Sequence, residues 1–205
     1  SKIHTDLDVF FEFYKNNCIT VTGTNGKSTT CQLLYEILLD QRYDVRLVGN
    51  IGNPILSVQN VKKNTIFVVE ASSYQLEYSK IFQSKYAAIL NLSPDHIERH
   101  GNIKNYISAK FKLIKSQSTK NFAFVKKDDP LILRELKNKN FKSRIIKVET
   151  KKDYQFLRKL DNNYFSTEAN LENLMFVIEI SKKLKLKSNL FEKSIQQFKG
   201  LKYRQ

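Results

Sequence analysis

The chain has 205 residues, a length that a single buried core can serve, and its composition is typical of a folded protein. Hydrophobic residues make up 41% and charged residues 27%, with six Gly and three Pro, which excludes disordered, collagen-like and low-complexity classes. The longest apolar stretches are far shorter than the roughly 20 residues of a membrane-spanning helix. Since the first residues also lack the pattern of a secretory signal, we expect a cytoplasmic protein with no membrane partner.

The formal charge of +15 raises the question of a nucleic-acid partner. The basic residues are scattered from Lys104 to Lys199, alternate with acids, and are mostly Lys rather than the Arg that bidentate phosphate recognition favours. We therefore expect a solvated basic surface and no nucleic-acid partner. The two cysteines, Cys18 and Cys31, match neither a zinc knuckle nor a redox pair and are expected to be buried free thiols.

Short apolar runs alternate with helical patterns, which predicts an α/β fold with a mostly parallel sheet of about six strands flanked by helices. The predicted strands, in chain order, are Cys18 to Thr22, Val45 to Val48, Thr65 to Val69, Tyr86 to Leu90, Phe122 to Val125 and Ile145 to Val148. The predicted connecting helices are Ser28 to Asp40, Ile103 to Lys115 and Pro130 to Leu136.

The pattern changes after Lys151. Tyr154 to Leu160 and Tyr164 to Ser166 suggest a short hairpin around the Asp-Asn-Asn of positions 161 to 163. Two further helices are predicted, at about Glu168 to Leu184 and Leu190 to Phe198.

A glycine-containing loop joins the first predicted strand to the first helix, which is the context of a phosphate-binding loop, or P-loop. Its residues are Gly23, Thr24, Asn25, Gly26, Lys27, Ser28 and Thr29. Backbone amides and the helix dipole would hold the phosphates, Lys27 would reach the β- and γ-phosphates, and Ser28 would offer a hydroxyl to Mg²⁺. The strict eight-residue pattern fails, because Val21 stands where its first Gly belongs.

Two other strand ends carry polar residues, where ligands bind in doubly wound sheets. Glu70 follows a buried apolar strand and is a candidate Mg²⁺ ligand, although a strand-ending surface acid is the alternative. His96 follows the next strand in an Asp-His pair and could ligate a metal, although a loop histidine is more often plain surface. We expect His100 on the surface, and Lys110, from the residues alone, as a solvated helix lysine.

Five motifs occur here in the order and spacing of the Mur ligases of peptidoglycan synthesis, which the chain resembles from about Cys18 to Arg204. They are GTNGKST (23–29), GNIGNP (49–54), EASSYQLE (70–77), NLSPDHIERH (91–100) and YISAK (106–110). GTNGK is shared with folylpolyglutamate synthases, whereas the SSYQLE and GNIG blocks most resemble the D-glutamate-adding branch.

The resemblance implies a ligase that activates a carboxylate with ATP to an acyl phosphate, which the amine of an incoming amino acid attacks. Its implied substrates are UDP-N-acetylmuramoyl-L-alanine, D-glutamate and ATP. It implies Lys27 on the phosphates, a first Mg²⁺ on Ser28 and Glu70, and a second Mg²⁺ on His96 and a carbamylated Lys110. The implied contacts to the muramoyl-alanine portion are Asn50, Ser72 and Gln75, with His96.

Towards the end of the chain, Asn173 resembles a family residue that meets adenine, and Arg204 one that reaches the nucleotide phosphates. The family pattern changes at Ala169, Lys202 and Tyr203, where it has His, Pro and His. No role is assigned to Asp128 and Asp129. We expect 18–205 to be the central ATP-binding catalytic domain and 1–17 a linker from an N-terminal UDP-binding domain, with the C-terminal domain absent. We also expect a monomer with little activity as an isolated domain.

Four interpretations remain open on the sequence alone. The first is the D-glutamate-adding ligase, and the second is another amino-acid ligase of the same superfamily. The third is a P-loop ATPase or nucleotide switch of unknown substrate, although no Asn-Lys-x-Asp guanine-reading motif is present in the sequence. The fourth is a basic nucleic-acid-binding module, whose affinity would fall steeply with salt.

Overall fold

The computed structural model describes residues 4–152 and 154–201, which form a six-stranded parallel sheet in the order β2-β3-β1-β4-β5-β6. The strands are β1 (Cys18–Thr22), β2 (Val45–Gly49), β3 (Ile66–Glu70), β4 (Tyr86–Ile89), β5 (Phe122–Lys126) and β6 (Arg144–Val148). The sequence prediction of an α/β fold with six strands is confirmed. Strand β3 extends one residue further than predicted, so Glu70 is its last residue.

Helices cover both faces of the sheet. They are α1 (Asp6–Phe13), α2 (Lys27–Asp40), α3 (Ser73–Tyr78), α4 (Ile97–His100), α5 (Ile103–Lys115), α6 (Pro130–Asn138), α7 (Glu168–Lys183) and α8 (Ser188–Gln197). Helices α2, α7 and α8 share one apolar core with the sheet, and α1, α3, α5 and α6 contribute to the other. Because both faces are covered, central strands such as β1 and β3 are buried at every residue, which explains their continuous apolar sequence.

The predicted hairpin is wrong. Residues Leu157–Lys159 and Asn163–Ser166 form short 3₁₀ turns, not strands. Their aromatic and leucine side chains pack against the core beneath α7 and α8, so this segment is apolar because it covers helices. Within the described residues, none of the helices is long and apolar enough to cross a membrane.

Helix α1 lies within the segment expected as a linker and is docked on the sheet through Leu7 and Phe10, both buried. Its Asp8 is 1% exposed and accepts hydrogen bonds from the Ser79 hydroxyl at 2.7 Å and from the backbone amides of residues 80–82 at 2.8 to 3.1 Å. Burial alone would raise the pKa of Asp8, but these hydrogen bonds together lower it below its usual value.

We expect Asp8→Ala to lower the free energy of unfolding by about 3 kcal/mol, because several amide donors lose a charged acceptor. The half-buried Asp6, with one side-chain partner at Gln75, provides a matched control, and Asp6→Ala should cost much less. The contribution of Asp8 is present above the pKa of the unfolded carboxyl and is lost as the pH falls through the lower folded pKa. Urea unfolding should therefore show the gap between the unchanged protein and Asp8→Asn shrinking below about pH 4. An equal gap at every pH would contradict this role.

Candidate nucleotide and metal site

The phosphate loop connects β1 to α2 at the point where the chain's crossovers reverse direction, between β1 and β4. Gly26 is the N-cap of α2 and has a left-handed backbone, φ 83°. A Cβ added at Gly26 would lie 2.0 Å from Oδ1 of Asn173, a buried residue of α7. Only glycine tolerates both the left-handed backbone and this close approach. The predicted adenine contact Asn173 therefore lies directly against the loop.

The loop is held in shape by the segment after β4. The Asn25 amide donates to Oδ1 of Asn91 at 2.9 Å, and the Asn91 side-chain amide donates back to the Asn25 carbonyl at 3.2 Å. The Thr24 amide donates to the Asn91 carbonyl at 3.1 Å, while the Thr24 hydroxyl lies 3.0 Å from the hydroxyl of Tyr106. These contacts between protein groups hold the loop in its observed conformation.

The Lys27 side chain contacts the loop residues that precede it. Its ammonium donates to the carbonyls of Gly23 at 3.0 Å and Thr24 at 2.7 Å, and the side chain is half-buried. The positive charge therefore lies beside the amide-rich N-terminus of α2, where an anion is favoured.

Glu70 is a buried carboxylate with one oxygen that lacks a hydrogen-bond partner among the described residues. It is 1% exposed, its Oε1 accepts a hydrogen bond from Nδ2 of Asn50 at 3.4 Å, and its Oε2 has no hydrogen-bond partner among the described residues. A buried carboxylate oxygen without a donor is costly unless a proton, a water or a cation satisfies it. Mg²⁺ in nucleotide sites is held by one or two carboxylates together with substrate phosphates and water, so Glu70 fits this ion.

Lys110 contradicts the expectation of a solvated lysine. It is 2% exposed and its ammonium donates to the Gly23 carbonyl at 2.9 Å, with the hydroxyl of Thr22 at 3.4 Å and the Tyr106 ring centroid at 4.6 Å. A sequence signal was available, because Lys110 lies on the apolar stripe of α5. The buried residues three and four positions away on either side are Tyr106, Ile107, Leu113 and Ile114.

Burial lowers the pKa of Lys110 to about 7, with the nearby charge of Lys27 adding to the shift and Asp95 opposing it. A substantial fraction of this amine is consequently neutral near pH 7. A neutral amine is a nucleophile, whereas an ordinary surface lysine at this pH is almost entirely protonated.

The two histidines of the loop after β4 lie in opposite environments. His96 has a left-handed backbone, φ 51°, and a side chain that is 47% exposed with Nε2 3.5 Å from Asp95 Oδ2. His100, expected on the surface, is instead buried. Its Nε2 lies 3.0 Å from the Ser73 hydroxyl, and its ring stacks on Tyr74 at 5.5 Å, because the short turn of α4 directs it beneath α3.

The predicted substrate contacts are distributed around the site. Ser72 caps α3 in a capping box with Gln75, whose side-chain amide also donates to Asp6 Oδ2 at 2.7 Å. Asn50 is exposed and lines, with Ser28, a cavity of about 820 Å³ at the start of α2. Across the described ranges, His, Cys, Asp and Glu side chains form no group of three or more that could hold a metal ion.

Asp129, which was assigned no role, is buried and caps α6, and it also accepts a hydrogen bond from the amide of Leu92 at 2.9 Å. It thereby holds the loop after β4 from below. Arg204, predicted on the nucleotide phosphates, lies outside the described residues.

The sequence profile of the Mur ligase middle domain matches residues 21–194, and the chain belongs to this family. Its relatives include proteins named UDP-N-acetylmuramoylalanine--D-glutamate ligase. The one from Pelotomaculum thermopropionicum is 30% identical, over 97% of this chain and 48% of the relative. Those from Clostridioides difficile and Rickettsia bellii are 33% and 42% identical, over 98% and 62% of this chain and 48% and 28% of the relatives. The chain thus spans about half the length of the relatives that it matches across most of its residues.

Solved structures show the same fold. The UDP-N-acetylmuramate:L-alanyl-gamma-D-glutamyl-meso-diaminopimelate ligase from Neisseria meningitides superposes with a TM-score of 0.73 at 14% identity, covering 96% of this chain and 71% of that chain. The MurF ligase from Thermotoga maritima, solved in complex with ADP, gives a TM-score of 0.70 at 18% identity, covering 91% of this chain and 49% of that chain.

Proposed function

We propose that this chain is the central catalytic part of an ATP-dependent ligase that adds D-glutamate to UDP-N-acetylmuramoyl-L-alanine. The observation that carries the proposal is the match of nearly the whole chain to relatives named for this reaction. The site supports it chemically, because the glycine loop after β1 contacts the buried Lys110, and Glu70, with one unpartnered oxygen, pairs with the end of β1.

In the proposed reaction, a carboxylate oxygen of the muramoyl-alanine substrate attacks the γ-phosphorus of ATP, and ADP leaves. The amine of D-glutamate then attacks the carbonyl carbon of the acyl phosphate, loses a proton, and inorganic phosphate departs as the amide forms. The loop amides and Lys27 stabilise the negative charge on the phosphates. Ser28, Thr29, Asn173 and Arg204 are the other nucleotide contacts that we propose.

We infer that Ser28 and Glu70 hold one Mg²⁺ and that His96 and a carbamylated Lys110 hold a second. The ions, when bound, neutralise charge on the transferring phosphoryl group. The orphaned Oε2 supports Glu70 as a ligand. The low pKa of Lys110 supports carbamylation, because CO₂ reacts with a neutral amine and the carbamate supplies an anionic oxygen ligand.

We also propose that Asn50, Ser72, Gln75 and His96 face the muramoyl-alanine substrate, which the cavity beside Asn50 would help to accommodate. Residues 18–205 would form the central domain of a longer ligase, with 1–17 leading from a UDP-binding domain and a C-terminal domain completing the site. This is consistent with the shorter span of the chain relative to its relatives. The protein would act as a monomer in the cytoplasm, without a nucleic-acid partner.

The full-length protein should release phosphate from ATP in a manner that depends on both UDP-N-acetylmuramoyl-L-alanine and D-glutamate. The assay compares D-glutamate with L-glutamate, D-alanine and meso-diaminopimelate at equal concentration, and mass spectrometry identifies the amide product. A preference for another amino acid would replace the D-glutamate assignment with a related ligase. A rate of phosphate release that no added amino acid changes would contradict a ligase and favour an ATPase.

A further inference from the structure

Tyr164 lies in a 3₁₀ turn and touches the phosphate-loop helix through its hydroxyl. Its Oη is 3.0 Å from the Thr29 hydroxyl, across 135 residues of sequence. Thr29 is buried in the first turn of α2, directly after Ser28. The contact therefore joins the part of the chain around α7 and α8 to the candidate nucleotide site.

The ring of Tyr164 also sets the course of the chain beyond α8. It packs edge-on against Phe198, with centroids 5.0 Å apart and planes at 88°. Gly200 passes directly over the ring with φ +80°, and a Cβ added there would lie 2.3 Å from ring atom Cε2. Only glycine fits at this position, so Tyr164 and residues 198–201 are seated against each other.

Tyr164 is itself held from two sides. The Tyr164 amide donates to Oδ1 of Asn162 at 2.9 Å, and its carbonyl accepts from Nδ2 of Asn170 at 2.7 Å. The side-chain amide of Asn162 also donates to the last carbonyls of the α8 region, those of Ile195, Gln196 and Phe198. One short segment thus fixes the end of α8, the position of Gly200 and the first turn of α2.

The hydrogen bond between the Tyr164 and Thr29 hydroxyls can affect ligand binding, because it influences where the Thr29 proton points. A threonine hydroxyl can accept one hydrogen bond and donate another at the same time. If the Tyr164 hydroxyl donates to Thr29, the Thr29 proton is left to donate to a phosphate oxygen. Without Tyr164, Thr29 can turn its proton to other acceptors such as the backbone carbonyls of its own helix.

We propose that Tyr164 is a positioning residue of the nucleotide site, which orients the Thr29 hydroxyl as a donor to phosphate and seats the chain at Gly200. This inference rests on the proposed nucleotide-binding function. Tyr164 would thus raise nucleotide affinity without contacting the nucleotide itself, in addition to the direct contacts proposed for Asn173 and Arg204.

The first test measures the dissociation constant of ADP with Mg²⁺ by titration calorimetry on the full-length protein. Tyr164→Phe keeps the ring and its packing on Gly200 but removes the hydroxyl, and we expect binding to weaken roughly three- to tenfold, the value of one hydrogen bond. The urea midpoint should change little. In a Thr29→Val background, Tyr164→Phe should have no further effect, because its effect on the ligand passes through Thr29.

The second test uses two glycines with similar backbones. Gly200→Ala and Gly101→Ala each place a side chain at a left-handed φ, +80° and +77°, but the nearest atom to the added Cβ is 2.3 Å away at Gly200 and 4.0 Å away at Gly101. Both variants should carry the same backbone strain. Only Gly200→Ala should displace the Tyr164 ring and weaken ADP binding severalfold.

The outcomes separate the two proposals. If the unchanged protein does not bind ADP, the proposed function fails and this inference fails with it. If Lys27→Ala abolishes binding while Tyr164→Phe leaves it unchanged, nucleotide binding stands and the role of Tyr164 is overturned. Additive effects of Tyr164→Phe and Thr29→Val, or equal weakening by Gly200→Ala and Gly101→Ala, would also overturn it.

Discussion

Replacing Lys110 by alanine should lower ligase activity at least about 100-fold, the scale on which charge-stabilising groups act in active sites. The lysine is buried, contacts the phosphate loop at Gly23 and, in the proposed function, carries the carbamate that holds a metal ion. Added acetate should restore part of the activity by placing carboxylate oxygens in the vacated space. Removing dissolved CO₂ should lower the activity of the unchanged protein more than that of Lys110→Ala.

The same helix offers a matched control. Lys115 is exposed at the end of α5, so Lys115→Ala should change neither activity nor stability beyond about 0.5 kcal/mol. Full activity of Lys110→Ala would rule out a metal-binding carbamate and would remove half the support for the two-metal proposal around His96.

A stability measurement tests the burial of Lys110 without any assay of activity. The folded pKa of about 7 is below the ordinary value of 10.5, so between these two pH values the unfolded chain binds the proton and the folded chain does not. Raising the pH across this window therefore favours the folded state. The free energy of unfolding of the unchanged protein should rise relative to that of Lys110→Met, which keeps a long side chain without the charge. A difference that is constant from pH 7 to 10.5 would contradict the lowered pKa.

The second large effect is expected at Lys27, where replacement by alanine should abolish ATP-dependent phosphate transfer. The ammonium donates to the loop carbonyls of Gly23 and Thr24, so its charge lies on the loop where, in the proposed function, the phosphates bind. The fold should persist, because Asn91, in the segment after β4, holds the loop through hydrogen bonds that do not involve Lys27. Turnover, ADP binding and circular dichroism should be measured on the same preparation.

Two further variants serve as a control and as a test of the side-chain shape required at Lys27. Lys104→Ala removes an exposed lysine in the first turn of α5 and should leave turnover unchanged. Lys27→Arg keeps the charge but replaces a compact ammonium by a planar guanidinium, and it should remain strongly impaired because the loop carbonyls fit a point donor. Wild-type turnover in Lys27→Ala would contradict the phosphate-binding role of the loop.

The central part of the fold could be predicted because its signals are local. Five-residue apolar runs bounded by polar turns predict buried parallel strands, and Gly26-Lys27-Ser28 between a strand and a helix predicts a phosphate loop. The same local reasoning failed for 154–166, where side chains that pack beneath helices have the composition of strands. Periodicity over so few residues does not distinguish the two.

The candidate site shows the same division. The position of Glu70 at the end of a strand could be predicted because it follows an apolar run. The parallel register then pairs it with Val21 near the end of β1. His100 and Lys110 were misplaced by residue-level reasoning because a histidine or lysine is usually exposed, and tertiary packing overrode that preference. The apolar stripe of α5 around Lys110 was the one sequence signal of its burial.

The sequence by itself determined the strands, the glycine loop between β1 and α2, and the position of Glu70 at the end of β3, since each depends on residues that are neighbours along the chain. Only the tertiary structure decided which distant groups meet there. It brought Lys110 beneath Gly23, Asn173 against Gly26, and Tyr164 onto Thr29. The two hydrogen-bonded pairs join residues that are 87 and 135 positions apart in the sequence. The physical reason is that the energy of such a pair depends on burial and geometry, which no local sequence pattern encodes.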